Sequence, residues 1–233
     1  MFSKFRLGRL ASILLVLALL VAPVQAVVDQ GHPALTRLWV PTADGDQFAC
    51  TGFYVNKDAG DARRTWVLSA GHCSRAAYAA RNADETSWYA IDWRMTLVGH
   101  GSLQKRLDIA IGTMVAPDAI SGNYGKRFWL ADKFPEDGRV YIPNFGHGVE
   151  SVIAAKIKGP DPRFPGAVIV ETETAGQIKS GASGSPVLNS HGRVAGVLWG
   201  GVVDTRTMEP TNEIIVTPIE VAYALWALME VRP

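Results

Sequence analysis

Three short segments carry residue types from which a nucleophilic site can be built. Ser69-Ala70-Gly71-His72-Cys73 follows the apolar triplet Trp66-Val67-Leu68. Leu107-Asp108-Ile109-Ala110-Ile111 sets a carboxylate at the head of an apolar run, and Gly181-Ala182-Ser183-Gly184-Ser185-Pro186 brackets a serine with glycines. A serine hydroxyl is a weak nucleophile and needs a base within about 3 Å to take its proton. An imidazole can accept that proton at neutral pH and return it to a leaving amine. A carboxylate beside the imidazole holds its tautomer and stabilises the cation that forms. Alone, each segment also has a plainer reading: a packed histidine, an aspartate capping a turn, a Gly-Ser loop. Together they stand in the order His, Asp, Ser, with Asp108 36 residues after His72 and Ser183 75 residues after Asp108. That arrangement fits a single site assembled from distant parts of the chain.

Other residues suit these roles less well. His32, His100, His147 and His191 have no comparable setting, and none of Asp84, Asp92 and Asp118 opens an apolar strand as Asp108 does. Ser185 shares the loop with Ser183 but precedes Pro186 and lacks the glycine on each side. A nucleophile elbow of the Gly-x-Ser-x-Gly kind is excluded, because position 185 is Ser and His191 lies only eight residues beyond Ser183.

The elements that must position these residues read as strands. Apolar, β-branched stretches at 35–40, 47–55, 65–69, 88–98, 108–114, 139–143, 151–157, 167–172, 185–188, 193–199 and 213–216 alternate with Gly, Pro, Asn and Asp clusters. Turn signals stand at Asp44-Gly45, Asp137-Gly138 and His191-Gly192. Eleven strands are more than one open sheet normally holds without closing or splitting. After Pro218, the spacing of Ile219, Val221, Ala222, Leu225, Leu228 and Met229 becomes helical, giving one apolar face expected to pack on the last strands. The fold class is therefore all-β, a barrel or pair of barrels with a C-terminal helix.

At the N-terminus, Lys4, Arg6 and Arg9 precede the unbroken apolar run 10–22, and Val24-Gln25-Ala26 offers a cleavage site. This order predicts a signal peptide over residues 1–26; 13 apolar residues before Pro23 are too few for a membrane span, which needs about 20. A mature chain of 27–233 would fold outside the cytoplasm, secreted or periplasmic, with no membrane association after cleavage. The formal charge is +1, and without those three basic residues it is −2, from 20 basic against 22 acidic residues. No basic field remains for nucleic acid. The composition, 48% hydrophobic and 19% charged, excludes disorder. Cys50 and Cys73 do not have metal-ligand spacing with His72, so neither a metal nor another cofactor is expected.

In its motifs and layout, the chain resembles the chymotrypsin-fold serine peptidases, in particular their bacterial trypsin-like members. Their histidine motif is commonly T-A-A-H-C or S-A-G-H-C, their aspartate opens a D-I-A-like strand, and their serine sits in G-x-S-G-G/S-P. The resemblance implies two six-stranded antiparallel β-barrels with a C-terminal helix over 27–233, divided near 115–135. It implies His72, Asp108 and Ser183 as a catalytic triad, the amides of Gly181 and Ser183 as an oxyanion hole, and a Cys50–Cys73 disulfide. By the same likeness, Gln177, Trp199 and Gly200 bind substrate. Gln177 stands where trypsin carries Asp, and Val197-Leu198 stand where glutamate-specific relatives carry His, so a medium, uncharged side chain is expected in the primary pocket. Ala182 replaces the aspartate that pairs with a new N-terminus in the digestive members, so no such activation switch is expected. The implied function is that of a monomeric endopeptidase acting on polypeptides; the alternative is an inactive relative that keeps the fold as a binding module.

Overall fold

The computed structural model describes residues 34–56, 65–75, 79–81, 88–98, 107–114 and 127–231. The expected signal peptide, together with His32, Asp84, His100 and Asp118, lies outside the described residues. Seven strands form a first sheet: β1(Leu35–Thr42), β2(Gly45–Asn56), β3(Trp66–Ser69), β4(Ala79–Arg81), β5(Trp88–Leu97), β6(Ile109–Met114) and β7(Phe128–Trp129). Their order is β1-β4-β5-β6-β3-β2-β7, and a further pairing of β1 with β2 curls the sheet back on itself. A closed six-stranded barrel follows, built from β8(Arg139–Asn144), β9(Ser151–Pro160), β10(Val168–Thr172), β11(Pro186–Leu188), β12(Val194–Val203) and β13(Pro210–Pro218) in the order β10-β13-β12-β11-β8-β9.

The two-lobed, all-β architecture with a terminal helix is the one expected, and all eleven anticipated strands are present. Two further short strands complete the first lobe. β4 is Ala-Ala-Arg, with no β-branched residue, and is extended through its pairing with β1 and β5. β7 is two residues long and joins β2 in parallel, Val55 opposite Phe128 and Asn56 opposite Trp129, which makes the first sheet seven-stranded rather than six. Immediately afterwards, Leu130 bridges to Val194 in β12, so the chain passes between lobes at this point.

Each lobe has its own core. Val140, Ile142, Val170, Val187, Ile214 and Val216 fill the second barrel. Phe53, Leu68, Ile109 and Ile111 of the first lobe belong to a cluster that also contains Leu188, Val194 and Val197 of the second and Ile219, Ala222, Leu225 and Trp226 of the helix Ile219–Val231. The helix thus packs on the barrel preceding it, as expected, and in addition reaches back to the first lobe. Its apolar face is rotated, however: Leu228 is 56% exposed, whereas Trp226 is 1% exposed. The reason is an aromatic contact, with the Trp226 ring standing nearly perpendicular to Trp66 of β3 at 5.8 Å between centroids. Glu220 accepts a hydrogen bond from the Phe134 amide, and the Tyr223 hydroxyl donates to the Ala131 carbonyl, fastening the helix to the segment between lobes.

The loop joining β9 to β10 is held by a buried carboxylate. Asp161 accepts hydrogen bonds from the Arg163 amide (2.7 Å), Nε (2.9 Å) and Nη2 (2.9 Å). Burial alone pushes the Asp161 carboxyl up, but the Arg163 bonds outweigh it and hold the group below its ordinary value of 3.8. The loop then sets Phe164 edge-on to Trp199, 4.6 Å between centroids.

Two outcomes test this packing. Trp226→Ala should lower unfolding free energy by about 3–5 kcal/mol, measured by urea denaturation, because a large buried ring is deleted without a replacement. For Asp161 the folded-state value is depressed, so its stabilisation is complete above the unfolded value and is lost as pH falls through the lower folded one. Wild-type Tm should therefore drop between pH 5 and pH 2. Asp161→Asn should have a lower Tm at pH 7 and a shallower drop over that acid range.

Candidate active site

His72 lies in a 3-10 turn, Gly71–Arg75, that leaves the end of β3, and Asp108 immediately precedes β6, the neighbour of β3. Adjacent strands thus deliver both groups to one edge of the first lobe. His72 Nδ1 is 2.6 Å from Asp108 Oδ2, and the His72 amide donates to Asp108 Oδ1 at 3.0 Å. The aspartate side chain is fully buried, while the imidazole is 27% exposed. A buried carboxylate is costly unless its oxygens are bonded, and here both are engaged by one residue. This fixes the position and the ring orientation of His72 together. Across the lobes, the Asp108 amide donates to Thr217 Oγ1 (3.3 Å) and Thr217 Oγ1 donates to the Asp108 carbonyl (3.0 Å), pinning the aspartate backbone to β13.

Ser183 comes from the second lobe, on the loop that enters β11. The Thr51 amide of β2 donates to its carbonyl at 2.9 Å, and Cys73 Sγ lies 3.9 Å from the same oxygen. The serine backbone is therefore set against the residue that follows His72. Gly181 and Gly184 have φ of +90° and +86°, conformations that side-chain-bearing residues rarely adopt. A Cβ on Gly184 would also overlap Ser69 Oγ and the Thr51 carbonyl. Glycine at 184 is thus required by close approach between lobes as well as by the turn. The Gly184 amide donates to the Leu198 carbonyl and the Leu198 amide donates to the Ser185 carbonyl, both at 2.8 Å, which straps the loop to β12.

The remaining anticipated residues divide. Cys50 and Cys73 are joined by a disulfide that ties β2 to the His72 turn. Their sulfurs and a ring nitrogen of His72 lie within 4.8 Å of one another, but the sulfurs are bonded to each other, so this cluster is not a metal site. Gln177, Ser183 and Gly200 line one cleft of about 250 Å³, together with Ile178, Ser180 and Gly201. Trp199 is not among its lining residues and packs against Phe164 instead. Among the rivals, Ser185 is fully buried and donates from Oγ to the Ala182 carbonyl (2.6 Å), while His147 and His191 are exposed turn residues. Asp92 pairs with Arg94 at 2.7 Å. Two residues at the site escape a reading of the sequence: Thr51 and Thr217 look like ordinary strand threonines, and only the meeting of the lobes gives their hydroxyls partners. The adjacency of Thr51 to Cys50 was the available hint.

A family model, the trypsin-like peptidase domain, matches residues 50–197. No curated protein matches by sequence. Among solved structures, the chain is similar to the Rv3671c protease from M. tuberculosis in its active form, with 17% identity over 86% of this chain and 81% of that one, TM-score 0.57. It is similar to the thermostable serine protease AL20 from an extremophilic microorganism, with 14% identity over 80% and 91% of the two chains, TM-score 0.58. It also resembles the HtrA-type protease AlgW bound to a decapeptide, with 12% identity over 89% and 67%, TM-score 0.62. The likeness to these structures is one of fold, and the motif-bearing stretch from Cys50 to Val197 is matched by the family model: the chain belongs to the trypsin-like peptidase family.

Proposed function

We propose that this protein is a secreted serine endopeptidase acting through Ser183, His72 and Asp108. The observation that carries the reading is the His72–Asp108 pair, 2.6 Å between Nδ1 and Oδ2, with the carboxylate fully buried and the Ser183 loop beside it. With Nδ1 taken by Asp108, Nε2 is the ring nitrogen that serves the serine. Ser183 Oγ attacks the scissile carbonyl carbon while its proton passes to His72 Nε2. The resulting oxyanion is received by the Gly181 and Ser183 amides, each worth roughly 3–4 kcal/mol in the transition state. His72 then gives the proton to the amine, the C–N bond breaks, and an acyl-enzyme on Ser183 remains. Water, deprotonated by the same imidazole, releases the acid and restores the serine.

The cleft beside Ser183 suits a medium, uncharged P1 side chain, since Ile178 lies against Gly201 and nothing crowds Gly200. The exposed stretch of β12 after Leu198 offers an edge along which an extended peptide can pair. The Cys50–Cys73 disulfide and the N-terminal segment 1–26 support export, and among the described residues no helix is long and apolar enough to cross a membrane.

Labelling with a fluorophosphonate probe and hydrolysis of a peptide series varied at P1 test the reading. Ser183→Ala should abolish labelling and reduce hydrolysis by on the order of 10³-fold or more, and Asp108→Asn should reduce it by about 10⁴-fold. Both variants should keep the wild-type circular dichroism spectrum. A wild-type protein that binds peptide but neither labels nor hydrolyses it would instead be a binding module.

A further inference from the structure

The loop that presents Ser183 is held at every carbonyl. Ser180 O accepts from the His147 amide (2.8 Å), Gly181 O from Thr51 Oγ1 (2.8 Å), Ala182 O from Ser185 N (3.2 Å) and Oγ (2.6 Å), and Ser183 O from the Thr51 amide (2.9 Å). In a trans peptide the carbonyl and the following N–H point in opposite directions. With Ser180 O turned to His147, the Gly181 N–H points away from that turn. With Ala182 O turned to buried Ser185, the Ser183 N–H points away from the interior. These are the two amides assigned above to the oxyanion; the carbonyls behind them are gripped by His147 and Ser185, and the alternate carbonyls, Gly181 O and Ser183 O, keep the peptide planes between them in place.

Two of these grips, on Gly181 O and Ser183 O, come from Thr51, and it supports a third through Phe145. Thr51 is fully buried on β2 of the first lobe. Its hydroxyl donates to Gly181 O at 2.8 Å and accepts from the Phe145 amide at 3.1 Å, so its single proton is already committed. Through Phe145 it anchors the turn that supplies the His147 amide, and its own amide holds Ser183 O. Arg37 of β1 closes the same turn from outside, with its guanidinium 4.3 Å over the Phe145 ring and Nη2 donating to Gly148 O at 2.9 Å. His147 itself sits at φ 53°, ψ 27°, a conformation that a turn must impose. Ala182, at the centre of the loop, is itself fully buried among apolar residues.

We propose that Thr51 is the positioning residue of the oxyanion loop: one uncharged hydroxyl on the first lobe holds residues 180–183 of the second with their amides presented to substrate. Thr51→Val keeps the shape of the side chain but leaves the Gly181 carbonyl and the Phe145 amide without their partner, so the loop is no longer locked. Thr51→Ser keeps the hydroxyl. This inference rests on the peptidase reading and assigns the first lobe a direct part in organising the second lobe's half of the site.

The test compares wild type, Thr51→Val and Thr51→Ser, each corrected for folded fraction. Fluorophosphonate labelling rate and kcat should fall on the order of 10- to 100-fold in Thr51→Val, with KM little changed, and should recover to near wild type in Thr51→Ser. Affinity for the aldehyde acetyl-Ala-Ala-valinal, whose adduct carries an oxyanion, should fall at least tenfold in Thr51→Val. Binding of a non-reactive peptide of the same sequence, measured in a Ser183→Ala background with and without Thr51→Val, should agree within about twofold. A purely structural role would lower thermal stability while leaving the labelling rate per folded molecule unchanged, or would weaken aldehyde and peptide alike; either result overturns the assignment of Thr51. Failure of the wild type to label overturns the peptidase reading, and this inference with it.

Discussion

Everything at the candidate site depends on two lobes being held in register. His72 and Asp108 belong to the first, and Ser183 to the second, so an error of one ångström at the seam is an error of one ångström between the imidazole and the serine. Among the described residues, two sets of hydrogen bonds cross that seam at Asp108 and at the Ser183 loop. At one end Thr217 of β13 takes the Asp108 amide and carbonyl, and at the other Thr51 of β2 takes Ser183 O and Gly181 O. In both sets the partners are backbone groups buried where water cannot replace them, so breaking either leaves unsatisfied groups costing about 1–3 kcal/mol each. The C-terminal helix adds a third fastening by carrying Trp226 back to Trp66.

Within this frame the carboxylate of Asp108 is the most demanding group. It is fully buried, and His72 bonds both its oxygens, one through the backbone amide and one through the ring. The amide bond fixes where the residue sits and the ring bond fixes how the imidazole is turned. The disulfide from Cys50 to Cys73 restrains the same turn covalently; on the chain-entropy view a link across 23 residues stabilises the fold by about 3 kcal/mol. Cys50 is also the neighbour of Thr51, so one short stretch of β2 anchors the histidine turn by a covalent bond and the serine loop by hydrogen bonds.

The β9–β10 loop stabilises its own geometry by a different means. There a buried carboxylate is paired with a cation, Asp161 with Arg163, and the Arg163 guanidinium also lies 3.7 Å from Glu213. Such a pair holds only while the carboxyl is ionised, whereas the hydroxyls around Ser183 do not titrate in the physiological range. The part of the molecule that carries Phe164 against Trp199 is therefore acid-sensitive.

Most of the framework was legible in the residues themselves. Apolar, β-branched runs between turn residues located eleven of the thirteen strands among the described residues, because side chains of that kind pack on a pleated, buried surface. The short β4 and β7 carried no such pattern, since their extended form comes from the neighbours they pair with. The order and setting of His72, Asp108 and Ser183 pointed to one chemistry, as each motif couples a reactive side chain to the local backbone that must carry it. The helix at 219–231 and its packing on the last strands were equally plain, but its periodicity could not say that Trp226 would also reach Trp66 of the first lobe. Thr51, Thr217 and Phe164 were invisible for the same reason: a threonine hydroxyl or an aromatic ring acquires its role from partners far along the chain, Gly181 for Thr51, Asp108 for Thr217 and Trp199 for Phe164. Local chemistry and local conformation are thus determined by the sequence read along the chain, and the closure of the site is decided where the two lobes meet, because hydrogen bonds across that seam exist only once both have folded.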